Sequence, residues 1–232
     1  MVSDALLIHR DSLRSQLHPA DPIGYAGYVG AVLGTIRRHM QFAEFEALPD
    51  HPGKRELLRG ELIELPPAKQ KHNQIAERIY LRLREILPEA GNPSLGEVHH
   101  EMGYLFEDGS WLQPDVSITH AGQAVEDYYL GSPALAVEIV SENNTADEIA
   151  GKVEMYLTNG ASEVWVLYPN RGQLWLHTHD GHADKHSVRL VSSLLGGAVL
   201  DLAQLLARPA HLVPIPDRER GRDRFGDDGP NG

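Results

Sequence analysis

A carboxylate set in an apolar run is the first feature of this chain that asks for chemistry. In "LAVEIVSENNTADEIAGKVEMY", residues 135–156, Glu138 interrupts a strand-like stretch that leads into a helix-like one carrying Lys152 and Tyr156. An ionised carboxylate inside a sheet is costly unless it is paired, hydrogen-bonded or metal-bound, so Glu138 requires a partner. Asp115, 23 residues earlier in "LQPDVSI", sits in a second strand-like segment. If the two strands are neighbours, their carboxylates converge on one hard cation. Mg²⁺ is held in this way by one or two carboxylates, with water and substrate phosphate completing its shell. Hydrolysis of a phosphodiester there also needs a basic residue to orient the attacking water and offset developing charge. Val140 stands where a lysine two residues after Glu138 would be, and Lys152 is the next candidate, with Tyr156 one turn further on the same helix face.

Structural readings stand beside these. Asp115 after Pro114 also suits a plain strand start, Glu138 an edge strand facing water, Lys152 an exposed helix face, and Tyr156 a core aromatic with a satisfied hydroxyl. A second cluster, "HTHDGHADKH", sets His177 and His179 on one strand face with His182 and His186 behind, a spacing compatible with Zn²⁺ or Ni²⁺ and equally with a polar hairpin loop. His99 and His100 alternate across a strand and cannot face one ion.

The elements that must position these groups follow from the pattern. A helix is expected around Tyr28 to Phe45, and "RELLRGELIELPP" reads as two strands meeting at Arg59-Gly60 and stopped by Pro66-Pro67. Ile75, Ile79, Leu83, Ile86 and Leu87 recur at helical spacing. "GEVHHEMGYLFEDGSWLQPDVSITH" reads as one hairpin turning at Asp108-Gly109, with "LQPDVSI" as its second strand. The run at Leu135–Val140 suits a central strand buried on both faces. Thr145 is the expected N-cap of the next helix, which Asn159-Gly160 ends. "EVWVLYP" and "QLWLHTH" form a hairpin across Asn170-Arg171-Gly172, followed by a weaker strand and a short helix up to Ala207. This order predicts an α/β core around a mixed sheet. The domain reading is an N-terminal extension over 1–40, a core domain over 41–207 and a C-terminal segment over 208–232, disordered from 216.

Composition narrows the function. The 232 residues include no cysteine, which excludes thiol catalysis, disulfides and thiolate zinc sites and suits a reducing cytoplasm. "PIGYAGYVGAVLGTI" is too short and glycine-rich to span a bilayer, and Asp4, Arg10, Asp11 and Arg14 before it argue against a signal peptide. A cytoplasmic protein with no membrane partner is expected. The net charge of −12 argues against coating nucleic acid by charge alone. It leaves a nuclease open, because acidic residues gathered on a divalent metal recruit phosphate through the ion.

Three segments, "RELLRGELIELPPAKQKHNQIAERI", "LQPDVSI" and "LAVEIVSENNTADEIAGKVEMYLTNGASEVWVLYPNRGQLWLH", together resemble the Uma2 family of restriction endonuclease-like proteins, within the PD-(D/E)xK nuclease superfamily, over residues 41–178. The resemblance implies a central mixed sheet flanked by helices and an Mg²⁺- or Mn²⁺-dependent endonuclease site. On it, Asp115 is the aspartate of the PD motif and Glu138 the second carboxylate, with the Ile139 carbonyl completing the metal shell. Lys152 is the lysine displaced onto the helix, a family habit that accounts for Val140. Glu61, in "GEL", falls on a further metal or water ligand, and His72 on the histidine opening the first core helix. The implied partner is nucleic acid, DNA before RNA, and cutting both strands of a duplex favours a homodimer. The rival is a catalytically silent nuclease-fold protein that serves as a binding or assembly module, with the N-terminal extension as its arm.

Overall fold

Five of the seventeen residues from Gln70 to Ile86 are apolar and buried at i, i+3, i+4 spacing, and this stripe decides where the central sheet must lie. The computed structural model describes residues 39–207. The chain divides into two units, Met1–His39 and Met40–Gly232, and all described residues except His39 belong to the second. The expected N-terminal extension, most of the helix expected from Tyr28, and the C-terminal segment from 208 lie outside the described residues.

In chain order the elements are α1 (Phe42–Glu46), β1 (Lys54–Leu58), β2 (Glu61–Leu65), α2 (Gln70–Ile86) with a 3-10 turn at Leu87–Glu89, β3 (Leu95–His100), β4 (Tyr104–Leu105), β5 (Trp111–Leu112), β6 (Val116–His120), β7 (Tyr129–Leu130), β8 (Leu135–Ile139), α3 (Ala146–Thr158), β9 (Glu163–Tyr168), β10 (Gln173–Thr178), β11 (Ala183–His186), β12 (Arg189–Ser192), β13 (Ala198–Asp201) and α4 (Leu202–Leu206). They form a mixed α/β fold. A six-stranded sheet runs β11-β10-β9-β8-β6-β3, a five-stranded sheet β2-β1-β5-β4-β7, and β12 pairs with β13 alone. In the larger sheet only β8 and β9 are parallel, joined by the crossover helix α3, so the sheet is mixed as expected.

All five residues of β8 are buried, which places it centrally. Leu135, Val137 and Ile139 face the α2 layer with Ile79, Leu83 and Trp165, and Ala136 faces the other layer with Ile149, Val153 and Tyr156 of α3. Alternation therefore turns Glu138 toward α3. Thr145 caps α3 as expected: its hydroxyl accepts from the Glu148 amide at 3.2 Å while the Glu148 carboxylate accepts from the Thr145 amide at 2.9 Å. Pro66 follows the end of β2, and the β1–β2 turn has positive φ at both Arg59 and Gly60, as a tight two-residue hairpin demands.

One expected hairpin is in fact two nested ones. The turn at Asp108-Gly109 joins β4 and β5, which belong to the smaller sheet, whereas β3 and β6 pair outside them in the larger one, with His100 opposite Val116. The chain leaves one sheet and returns to it through Glu101, at φ 49°, and Asp115. Asp115 therefore stands just before β6 rather than within a strand, although its amide still donates to Val137 O at 3.0 Å. Gly103 lies in this crossover because Trp111 packs against it: a Cβ there would stand 2.5 Å from the indole. After β10 the chain forms three strands where the pattern suggests a single weak one.

The excursion through β12 is fastened by a buried carboxylate. Glu163, at the start of β9, accepts from Trp165 Nε1 at 2.9 Å, Ser192 Oγ at 2.8 Å and the Leu194 amide at 3.1 Å. Glu163→Ala leaves these donors unpaired under cover and is expected to cost about 3 kcal/mol or more. Urea unfolding checks this, and a loss under about 1 kcal/mol would contradict it.

Candidate active site

Four segments bring charge to one place beneath the end of β8. β1 supplies Lys54 and Glu56, which alternate onto one face of the strand. The crossover before β6 supplies Asp115, β8 supplies Glu138, and α3 supplies Lys152 and Tyr156, one turn apart. His72, in the first turn of α2, closes the group. A cavity of about 440 Å³ opens onto it, lined by Lys54, His72, Asp115, Glu138, Ile139 and Lys152 among others.

The three carboxylates are almost entirely buried: Glu56 is 1 % exposed, Asp115 4 % and Glu138 3 %. They persist because each is matched. Lys152 Nζ lies 2.7 Å from Glu138 Oε2 and 2.8 Å from Glu56 Oε2, and the Tyr156 hydroxyl donates to Glu138 Oε1 at 2.9 Å. Glu56 Oε1 accepts from the Gln113 amide at 2.9 Å. Lys54 Nζ donates to Asp115 Oδ1 at 3.1 Å and lies 3.8 Å from Glu56 Oε1. Asp115 Oδ2 accepts from the Ile139 amide at 2.7 Å and faces His72 Nε2 at 3.3 Å.

Burial works against every charge in this set, and the ion pairs decide which way each group moves. For Asp115 burial is outweighed by Lys54 and His72, so its carboxyl lies well below the usual range. Glu56 is likewise lowered against burial, by Lys152 and then Lys54. Glu138 differs: burial, reinforced by Glu56 and Asp115, pushes it up despite Lys152, making it the first of the three to take a proton on acidification. Lys152 and Lys54 resist the same burial and are raised, chiefly by Glu138 and by Asp115 respectively. Tyr156 is raised far above its ordinary range by burial and by Glu138, so it keeps its proton and donates it.

The donor types suit a hard cation. Asp115 and Glu138 offer carboxylate oxygens, and the Ile139 carbonyl lies on the same strand edge as the amide that meets Asp115. Among the described residues, no three His, Cys, Asp or Glu side chains stand together as a ready ligand set. An Mg²⁺ or Mn²⁺ held here would therefore draw on water and substrate oxygens as well, as Mg²⁺ commonly does.

Asp115, Glu138, Ile139, Lys152, Tyr156 and His72 thus come together, and Glu61 does not. Glu61 is exposed beside the Arg59-Gly60 turn, opposite Leu58 and away from the cavity lining. The carboxylate that enters the cluster from this hairpin is Glu56, on the facing strand. Glu56 and Lys54 both escape sequence reading because charges at alternate positions of "KRELL" look like any half-solvated strand. The histidine cluster does not assemble either. The β10–β11 register puts His177 opposite Ala183 and His186 opposite Leu174, at opposite ends of the ladder, and His182 pairs with Asp184 at 3.1 Å. No metal-holding group forms there among the described residues.

Two stability effects follow. Lys152→Met strands Glu138 and Glu56 without their shared counter-charge and should cost about 3–5 kcal/mol in chemical denaturation; an unchanged midpoint would refute the pairing. His72 is raised, because the Asp115 interactions outweigh burial. A raised base stabilises the fold fully below its unfolded value of 6.5 and loses that contribution as pH climbs through the folded value. The stability advantage of wild type over His72→Ala should therefore shrink from pH 6 to pH 9, and an advantage that grows would contradict the contact.

No curated protein matches the chain significantly. Among solved structures, the crystal structure of "a putative nuclease belonging to DUF820 from Anabaena variabilis ATCC 29413" superposes with a TM-score of 0.63 at 17 % identity, covering 72 % of this chain and 97 % of that one. That likeness establishes a shared fold. Among the described residues, no helix is long and apolar enough to cross a membrane. The model of the family Uma2, described as "Putative restriction endonuclease", matches residues 42–210, and the chain belongs to the Uma2 family.

Proposed function

We propose that the chain is a divalent-metal-dependent endonuclease that hydrolyses phosphodiester bonds in nucleic acid, with DNA as the favoured substrate. The observation that carries this reading is the convergence of Asp115 and Glu138 with two lysines at one cavity. The family description and the shared nuclease fold support it. Asp115, Glu138 and the Ile139 carbonyl would hold Mg²⁺ or Mn²⁺. Such an ion, when bound, polarises a phosphoryl oxygen and lowers the pKa of water.

The protein's own groups do the positioning. Lys152 and Tyr156 fix both oxygens of Glu138 from one helix face, so the carboxylate is held in one rotamer. The Ile139 amide and His72 hold Asp115, and the depressed pKa of Asp115 keeps it ionised throughout the physiological range. Cleavage of both strands of a duplex favours a homodimer, and a cysteine-free chain suits the cytoplasm.

A second reading, a silent nuclease-fold protein that binds nucleic acid without cutting it, draws on one observation: every oxygen of Asp115 and Glu138 already contacts a lysine, a histidine, an amide or a hydroxyl. One experiment separates the two. Mn²⁺ and Mg²⁺ are titrated calorimetrically into wild type, Asp115→Asn and Glu138→Gln, and single- and double-stranded DNA and RNA are incubated with the same samples. The expected result is metal uptake and cutting in wild type, with either substitution lowering cleavage by about 10²-fold or more. Cutting that persists in both variants rules out this site. Oligonucleotide binding by wild type without metal uptake or cutting selects the silent reading.

A further inference from the structure

The two ammonium groups that serve the carboxylates are not equivalent. Lys152 comes from the buried face of α3, its side chain is 2 % exposed, and Glu138 and Glu56 hold it from two sides at 2.7 and 2.8 Å. Lys54 comes from the first residue of β1 and its side chain is 16 % exposed. It makes one close contact, to Asp115 Oδ1 at 3.1 Å, with Glu56 more distant at 3.8 Å. Moving Lys152 would leave two buried carboxylates unmatched, a change that costs several kcal/mol. Asp115, in contrast, keeps His72 and the Ile139 amide on Oδ2 when Lys54 turns away.

Further cationic side chains line the same cavity. The cavity is lined from β1 through the start of α2 by Lys54, Lys69, Lys71 and His72, all within one stretch of chain. Lys69 reaches Glu142 at 2.9 Å and Lys71 reaches Asn170 at 3.0 Å. The stretch from Lys54 to His72 thus brings three ammonium groups to the cavity, where Glu101, Asp115, Glu138 and Glu142 also line it, although the chain as a whole carries −12. Phosphate oxygens are commonly met by lysine ammonium groups of this kind.

We infer that Lys54, rather than Lys152, is the catalytic lysine whose ammonium meets the phosphodiester, and that Lys152 is a positioning residue for Glu138 and Glu56. The inference rests on the nuclease reading of the same site. Lys54 would give up Asp115 to a hard cation held there, and its flexible stem would leave the ammonium over the cavity, where a phosphate oxygen is the natural partner. Lys54 thus has two alternative partners, a carboxylate in the resting protein and a phosphate in the complex.

The roles differ in the sign of their effects. Full-length wild type, Lys54→Met and Lys54→Arg are compared in three measurements: calorimetric Mn²⁺ affinity, anisotropy of a fluorescein-labelled DNA duplex and its single strands in Ca²⁺ buffer, and kcat with KM for cleavage. Lys54→Met is expected to bind Mn²⁺ about threefold or more tightly, because a competing charge beside Asp115 is gone, yet to bind DNA about tenfold more weakly. Its kcat should fall about 100-fold, with Lys54→Arg restoring most of the DNA affinity. Damage to the fold would weaken both affinities together, so opposite signs identify the role. If Lys54→Met matches wild type in DNA affinity and kcat, or loses Mn²⁺ and DNA affinity together, the assignment of Lys54 is overturned while the nuclease reading stands. A wild type that takes up no Mn²⁺ and cuts nothing overturns both.

Discussion

The interaction on which the rest of the site depends is the Lys152 ammonium held between Glu138 and Glu56. Carboxylates under the packed face of a sheet would repel one another and forfeit hydration, and neither cost is tolerable unpaired. One lysine from the crossover helix answers both at once, at 2.7 and 2.8 Å. Because α3 is the connection between the parallel strands β8 and β9, the lysine that neutralises Glu138 follows it on the same βαβ unit. The capping box at Thr145 sets where that helix begins, and therefore which of its residues face the strand. Local sequence chemistry at a helix end thus fixes the registry of a buried ion pair.

Charge in the cluster is divided unevenly. Asp115 and Glu56 are held ionised by lysines, whereas Glu138, buried with both of them as like-charged neighbours, is pushed upward and relies on Lys152 and Tyr156 together. Environments that move neighbouring carboxylates in opposite directions are a mark of functional sites, because they assign different proton occupancy to chemically similar groups. A carboxylate held ionised can serve as a constant ligand. One poised higher responds to the charge that arrives beside it.

Much of this was legible in the sequence where a local rule and a tertiary demand coincided. Glu138 announced itself because a charge in "LAVEIV" has no exposed face to occupy in a central strand. Lys152 and Tyr156 followed from helical spacing, and α2 from its apolar stripe. What escaped notice had no periodic signature. β4 and β5 are two residues each, too short to alternate, so the pattern assigns the Asp108-Gly109 turn to the longer strands outside them. Lys54 and Glu56 lie on a strand whose charges look solvated until Lys152 of α3 and the segment before β6 meet them. Glu61 sits in the better-marked "GEL", yet the hairpin register turns it outward and gives the site to Glu56 instead.

The nesting of the small hairpin inside the larger one has a consequence for how the site comes into being. Asp115 and Glu138 belong to the six-stranded sheet, but Lys54 and Glu56 ride on β1 in the other, so the cluster is a seam between two sheets rather than a feature of either. Without the smaller sheet Asp115 would keep His72 and the Ile139 amide but lose Lys54, and Lys152 would keep Glu138 but lose Glu56. The pairs Lys54–Asp115 and Glu56–Lys152 therefore tie the smaller sheet to the larger one by charge, and loosening β1 would strip Asp115 and Lys152 of one partner each.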